Sequence, residues 1–414
     1  MTNRALRVTA RAAATDTAYY GELFSRAGLD PGDLTVESLK RLPVTTKPTL
    51  RGRLGAFVSS KAHPALLATT TGTTGMPTSV WFSHRELRIF SALSTIAAVT
   101  TLGLRGRHVL AYAGCSRATL ALTISKESVT RSGASFVQLG MIDPDICLER
   151  LAAPLGLRGK RPQISHVTAP TSYLAALVHA AETNGWQGGD FGLEHIEVAG
   201  EILTDALKAR ARATLGAEVT DGYLGTETAP AGAAYCEEGH LHFGREFAHF
   251  EVVDPFTFAE TASGEIGMLV ATPYVPYRDC TILLRYATGD LVRRLGPALS
   301  CAQGHLPATS PILGRFSGPL SLRVHSRQVL ELLESEPDVP LPARYSVTGD
   351  ADRAVLHVLV KKDTALTLSR LEERAQKLGL PVSRIRLYGD RDDMPPTVPV
   401  RADLREETFE MKGC

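Results

Sequence analysis

The stretch ATTTGTTGMPTSVWFS, Ala68 to Ser83, decides how the rest of the chain is read. Gly72 and Gly75 permit tight or left-handed turns, so several backbone N–H groups can converge on one anion. The hydroxyls of Thr69, Thr70, Thr71, Thr73 and Thr74 add neutral donors. Yet the loop contains no lysine or arginine. A P-loop of the kinase or GTPase type needs Gly-Lys-Ser/Thr entering a helix, whereas Met76-Pro77 leads into SVWFS, an expected strand. The apolar run HPALLAT before the loop is an expected strand too, and Ser83 is placed to cap a helix that follows. The positive charge that phosphate chemistry demands must come from elsewhere in the chain.

The chain has 414 residues, more than a single domain usually holds, so two domains of unequal size are expected. With 44% hydrophobic and 21% charged residues the composition is that of a globular protein. A formal net charge of +1 gives no general attraction to nucleic acid or an anionic membrane surface, so neither is expected as a partner. The N-terminus, MTNRALRVTARAAATDTAYYGEL, lacks the apolar core of a signal peptide, and no run reaches the length of a spanning helix. A cytoplasmic location is the expectation, and six scattered cysteines suit a reducing compartment.

Outward from the loop, TAYYGELFSRAG and LTVESLKRLP read as short helices stopped by Gly28 and Pro43, and Ile89 to Thr101 as a buried helix. The strands RHVLAYAG, ISHVTA, HIEVAG and AEVTDGY alternate with the helices TSYLAALVHAAET and TDALKARARATLG, which implies α/β layers around a largely parallel sheet. After Pro230 the pieces HLHFGREFAHFEVVD, GEIGMLVATPY and TILLRYATGDLVRRL are Gly-punctuated and strand-rich, as in an antiparallel subdomain. The tail from Val329 alternates again, as in a small α+β domain. The expected fold class is α/β, with a large N-terminal domain of residues 1–315 and a small mobile C-terminal domain of residues 316–414.

Three more segments follow the opening loop in a fixed order. DGYLGTET (Asp221 to Thr228) sets an aromatic ring, two glycines and a carboxylate at a strand end. RYATGDLVRR sets Asp290 after a glycine, where a carboxylate can take two ribose hydroxyls, and ILGRF supplies Arg315. In this order the four segments resemble the adenylate-forming superfamily of acyl-CoA synthetases and related ligases, across nearly the whole chain. The phenylacetate-CoA ligase branch is the nearest likeness, through YYGELFSRAGLDPGDL, LKRLPVTTKPTLR, TAPTSYLAAL and GHLHFGREFAHFEVVDP. The resemblance implies that Thr70, Thr71, Gly72, Thr73, Thr74 and Gly75 hold the ATP phosphates. It implies further that Tyr223, with Gly200 and Glu201, holds adenine, that Thr226 and Glu227 serve the phosphate and its Mg²⁺, and that Asp290 and Arg315 bind the ribose. An aromatic carboxylate would attack the α-phosphate, giving an acyl adenylate for transfer to CoA in specialised metabolism. The alternatives are a CoA-independent enzyme that acylates an amine, hydroxyl or carrier protein or adenylates nitrite, or a catalytically weakened nucleotide-binding relative.

The chain departs from this family where cations matter. Met76 stands where the loop usually carries a lysine, and the tail MPPTVPVRADLREE has no lysine, only Arg401 near the usual place. Lys47, in TTKPT, matches a lysine of the branch and is read as structural. Phe316-Ser317-Gly318-Pro319 replaces the usual acidic hinge, and the stretch SLRVHSRQV lacks the usual glycine, so thioester formation is the less secure half of the expectation. At strand ends that the superfamily uses for the acyl pocket stand Tyr112, Gly114, His166 and Ala199, small and aromatic residues that favour a flat aryl acid; His166 is equally readable as a core histidine. Cys236, His242, Cys301 and His305 form a candidate structural zinc site, with His240 competing with His242. A homodimer is allowed but not required.

Overall fold

The computed structural model describes residues 2–70, 76–115, 119–297, 299–350, 353–362 and 364–404. The loop residues Thr71, Gly72, Thr73, Thr74 and Gly75 lie outside that set. The chain divides into two compact units, one of Met1–Ala97, Arg117–Ser128 and Gly222–Ile312, the other of Ala98–Ser116, Val129–Asp221 and Leu313–Cys414. Among the described residues no helix is long and apolar enough to cross a membrane.

In the first unit, helix Thr2–Asp16 buries Leu6, Thr9, Ala10 and Ala13, a helical stripe built partly of residues too small to stand out in the sequence. Thr17 caps helix Ala18–Ala27 through the Tyr20 N–H, and left-handed Gly28 ends it, as expected. The two strands expected around the opening loop form an antiparallel hairpin, Pro64–Thr69 with Ser79–Ser83. Ser83 and Glu86 then form a reciprocal cap on helix His84–Thr100, each accepting the other's backbone N–H. Strands Ala248–Val253, Ile266–Pro273 and Tyr286–Arg293 form an antiparallel sheet in that order. A second antiparallel ribbon joins Gly222–Leu224 to Gly232–Tyr235, Leu241–Phe243 and Ala308–Thr309.

The second unit contains the parallel sheet, in the order His195–Ala199, His166–Ala169, Val109–Tyr112 and Ser135–Gln138. Its central strand Val109–Tyr112 is wholly buried, while the flanking strands interleave polar residues such as Glu197 and Thr168 with the buried Ile196, Val198 and Val167. Nine residues of helix Thr171–Asn184 are buried, among them Tyr173, Leu174 and Leu177. The tail supplies a three-stranded sheet, Tyr345–Thr348 antiparallel to Val355–Leu359 and that strand parallel to Arg384–Tyr388. Helix Ala365–Lys377 buries Thr367, Leu371 and Ala375, four residues apart on one face. Helix Ser326–Glu334 meets helix Asp205–Leu215 end-on: the Glu331 carboxylate accepts the Asp205 and Ala206 N–H groups at 2.9 and 3.0 Å, satisfying donors that a helix start leaves over.

Candidate active site

In the first unit the segments DGYLGTET and RYATGD meet. The turn after strand Glu218–Leu224 closes through the Thr228 and Ala229 N–H groups on the Gly225 carbonyl, which turns Glu227 inward and leaves Thr226 half-buried. Glu227 is 6% exposed and accepts a 2.7 Å hydrogen bond from the Tyr286 hydroxyl. Asp290 is 8% exposed and accepts a 2.8 Å hydrogen bond from the Tyr223 hydroxyl. The pairing is crossed: each segment supplies a tyrosine to the other's carboxylate. A buried carboxylate is costly without donors, and a hydrogen bond to a charged group returns about 1.5–3 kcal/mol. Each phenol therefore helps hold a negative charge in place, where a magnesium ion or a ribose could meet it.

The cation missing from the opening loop has two neighbours on one short helix. Thr45 bridges to Tyr286 on the strand that carries Asp290, and helix Lys47–Gly52 begins next, capped by Thr46. A Cβ on Gly289 would lie 3.9 Å from the Lys47 ammonium, so this lysine stands beside the strand residue that precedes Asp290. One turn on, Arg51 Nε donates to the Thr78 hydroxyl at 2.8 Å, at the base of the loop-bearing hairpin. Thr70 closes that base, its N–H bonded to the Thr78 carbonyl at 2.9 Å and its hydroxyl accepting the Thr78 N–H at 3.0 Å. Met76, in the place of the lysine, is 74% exposed. The sequence flags Lys47 only as a branch lysine read as structural; its place beside Gly289, 242 residues further on, has no local signal.

In the second unit Tyr112 ends its strand almost fully buried, with its ring folded over Gly114. A Cβ on Gly114 would come to 2.5 Å from the Tyr112 ring, so any larger residue there would force this buried ring to move. Ala199 ends the strand His195–Ala199, followed by Gly200 with φ 83°. The Arg401 guanidinium occupies the space that a Gly200 side chain would need. Burial lowers the Arg401 pKa, Glu201 works in the opposite direction, and Arg315 adds to the depression. Arg315 itself is exposed. Gly200, Glu201 and Arg401 are thus brought together.

His166 is not brought to this group. It opens strand His166–Ala169, at the end away from Ala169, with its ring nitrogens facing the Ser165 hydroxyl at 3.0 Å and the Leu102 carbonyl at 2.9 Å. Between His108 and His195, 2% exposed and with its pKa lowered by burial, it is a core histidine. The acyl-pocket expectation for it is corrected accordingly.

A separate cluster in the first unit gathers Cys236, His240, His242 and Cys301, whose ligand atoms all lie within 4.8 Å of one another. Cys301 Sγ is 3.3 Å from His242 Nε2. Burial, together with the Cys236 sulfur, pushes the Cys301 thiol up. The ligand set expected from sequence is corrected in one member: His305 is exposed and outside the cluster, and His240 takes its place. The turn after Cys236, closed by Cys236 N–H to the His240 carbonyl at 3.0 Å, brings His240 back beside that cysteine. Two-residue alternation then puts His242 on the same side. Two thiols and two imidazoles are the donor set of a closed tetrahedral zinc site, in which bond lengths of about 2.0–2.3 Å imply ligand separations of about 3.3–3.8 Å, the range of the Cys301–His242 pair.

The fold is that of the adenylate-forming ligases. It matches 2-hydroxyisobutyryl-CoA ligase in the postadenylation state, in complex with 2-HIB-AMP, with a TM-score of 0.76 at 17% identity, over 95% of this chain and 86% of that one. It also matches an anthranilate CoA ligase in complex with anthranoyl-AMP, with a TM-score of 0.58 at 16% identity over 84% and 67% of the two chains. No family model matches the chain. In sequence it is 29% identical over 360 residues to the phenylacetate-coenzyme A ligase of Thermus thermophilus, covering 83% of this chain and 77% of the relative. In sequence the chain is thus similar to a phenylacetate-CoA ligase, and in fold to CoA ligases captured with an acyl-AMP.

Proposed function

We propose that the protein activates an aromatic carboxylic acid with ATP and transfers the acyl group to CoA, in specialised metabolism. The substrate carboxylate attacks the α-phosphorus of ATP; a new acyl–phosphate bond forms, the α–β anhydride breaks and pyrophosphate leaves. The CoA thiolate then attacks the acyl carbon and AMP leaves. The observation that carries this reading is the crossed tyrosine–carboxylate pairing of Glu227 and Asp290. A weakened nucleotide-binding relative would have no chemical use for two buried carboxylates held this way.

The first step brings two anions together, so its barrier is mainly electrostatic. Glu227, with the Thr226 hydroxyl, would hold magnesium; hard oxygen donors suit that ion, which would neutralise charge on the phosphates when bound. Lys47 beside Gly289 and Arg51 at the loop base would contribute fixed positive charge, and Arg401 a planar fork. Asp290 and Arg315 would take the ribose, and Tyr223, Gly200 and Glu201 the adenine. Tyr112 folded over Gly114, with Ala199, supports a flat acyl group. Residues 316–414 would act as the mobile lid, pivoting at Gly318, whose φ is 125°. The Cys236, His240, His242 and Cys301 cluster would hold zinc as a closed structural site, pinning the hairpin before Leu241 to the loop at Cys301.

A second reading, transfer to an amine, hydroxyl or carrier protein without CoA, or adenylation of nitrite, is favoured by the missing hinge acid. Pro319 begins a short 3-10 helix directly after Gly318 and stiffens one side of the pivot. Pyrophosphate release with Mg-ATP and a panel of benzoic, phenylacetic, cinnamic and aminohydroxybenzoic acids tests the proposal, without acceptor and then with CoA. Release that requires one aryl acid and rises with CoA is the expected result. Release that ignores CoA selects the second reading, and activation of aliphatic acids alone overturns the aryl assignment.

A further inference from the structure

The tail segment that carries Arg401 is held by side chains from distant parts of the same unit. Glu201 Oε1 accepts the Arg401 backbone N–H at 2.7 Å. Glu201 Oε2 accepts the Ser172 N–H at 2.9 Å and the Ser172 hydroxyl at 2.7 Å. That same hydroxyl accepts the Ala402 N–H at 3.0 Å. One carboxylate and one hydroxyl thus take two consecutive donors at the start of the short 3-10 helix Arg401–Leu404, donors that the helix cannot satisfy itself. The other side of the segment is tied down as well. Arg344 forks onto the Asp403 carboxylate at 2.8 and 2.5 Å, and the Val398 N–H donates to the Tyr345 carbonyl at 2.9 Å. Between the two anchors the Arg401 guanidinium lies over Gly200, and its Nε has no hydrogen-bond partner among the described residues.

We infer that Glu201 and Ser172 are positioning residues for Arg401: they dock its backbone, so that the guanidinium is presented over Gly200 before the substrate arrives. The inference rests on the adenylation reading of Arg401. Residues 395–400 include three prolines and carry no regular secondary structure, so the arginine would otherwise sample many placements. Fixing two adjacent N–H groups removes that freedom before the reaction, and preorganisation of this kind lowers a barrier without adding a contact to substrate. Glu201 is thus assigned a tail-docking role beyond the adenine-side role expected from sequence.

Two measurements on the full chain test this. The first needs no substrate: amide hydrogen exchange at Arg401 and Ala402. Protection is expected in the wild type and in Ser172→Thr, which keeps a hydroxyl, and at least about tenfold faster exchange in Glu201→Gln and Ser172→Ala. Unchanged exchange in both loosened variants overturns the docking. The second is pyrophosphate release with the most active acid of the panel. Glu201→Gln should lower kcat about tenfold with little change in the KM for ATP, and should add nothing in an Arg401→Ala background, since the two act as one unit. A loss from Glu201→Gln that persists in full without the arginine overturns the positioning role and leaves Glu201 acting on the nucleotide itself. If Arg401→Ala alone leaves pyrophosphate release intact, the adenylation role of Arg401 fails, and the positioning role with it; the exchange data still report separately whether the tail is docked.

Discussion

Two arrangements of similar reach solve opposite problems. In the first unit, Tyr223 reaches Asp290 and Tyr286 reaches Glu227, so negative charge is buried and held where a metal and a sugar would need it. In the second, the Glu201 carboxylate and Ser172 hydroxyl hold backbone donors, so that a positive group is presented from an otherwise irregular tail. The first pairing is made by Tyr223, Tyr286 and Asp290 on strands, and by Glu227 in the tight turn directly after one, so sheet hydrogen bonds fix their places. The second is made by a serine and a glutamate of ordinary type, acting on main chain that has no sheet to hold it. Charge on a strand comes preplaced; charge on an irregular tail needs a dedicated dock.

The sharpest way to break the contrast is Glu227→Gln, which keeps the shape and an acceptor for Tyr286 but removes the charge. It should reduce pyrophosphate release by a factor on the order of 10²–10³ while circular dichroism stays unchanged. Loss of folding instead would make the first arrangement structural and erase the difference. A smaller effect is expected at the cysteine cluster, which belongs to the first unit but bears no chemistry. Cys301→Ser should lower bound metal, measured by plasma emission, from about one zinc per chain to near none, with a lower melting temperature. Activity measured well below that temperature should be unaffected. Wild-type protein without metal would overturn the zinc assignment.

The smallest effect concerns how the second unit joins the tail helix Ser326–Glu334 to helix Asp205–Leu215. Glu334 is 4% exposed and accepts from the Thr204 hydroxyl. Burial pushes its pKa up from 4.5 to about 8, Thr204 and Arg210 pull it back, and Glu331 and Glu201 add to the rise. The folded state therefore keeps a proton that the unfolded chain releases. The associated stabilisation is full below about pH 4.5, declines as pH rises, and is lost above about pH 8. Glu334→Gln should remove that part of the slope, so its melting temperature should fall less than the wild type's between pH 5 and pH 9. Equal slopes would mean that this carboxyl is ionised throughout.

The motifs that carry charge are legible in the amino-acid sequence itself. DGYLGTET and RYATGD point to Tyr223, Glu227 and Asp290, whose types suit few bland roles together. Alternating strands and helices reveal the parallel sheet. Helix Thr2–Asp16 is less visible, because its buried stripe relies on Ala10 and Ala13. His240 displaces His305 because a tight turn, and not sequence spacing, decides which imidazole faces Cys236. His166 looks available in sequence, but its place at the start of a buried strand commits both ring nitrogens to the interior.

Residue types and local periodicity were enough to determine the α/β class and to single out Glu227 and Asp290, because propensity and side-chain chemistry act over a few residues. Tertiary structure alone decided which tyrosine serves which carboxylate, that Lys47 stands beside Gly289, and that Ser172 and Glu201 hold the backbone of Arg401 and Ala402. Those pairings join residues from 59 to 242 positions apart. Only the packing of the folded chain selects such partners, and no local signal in the sequence encodes them.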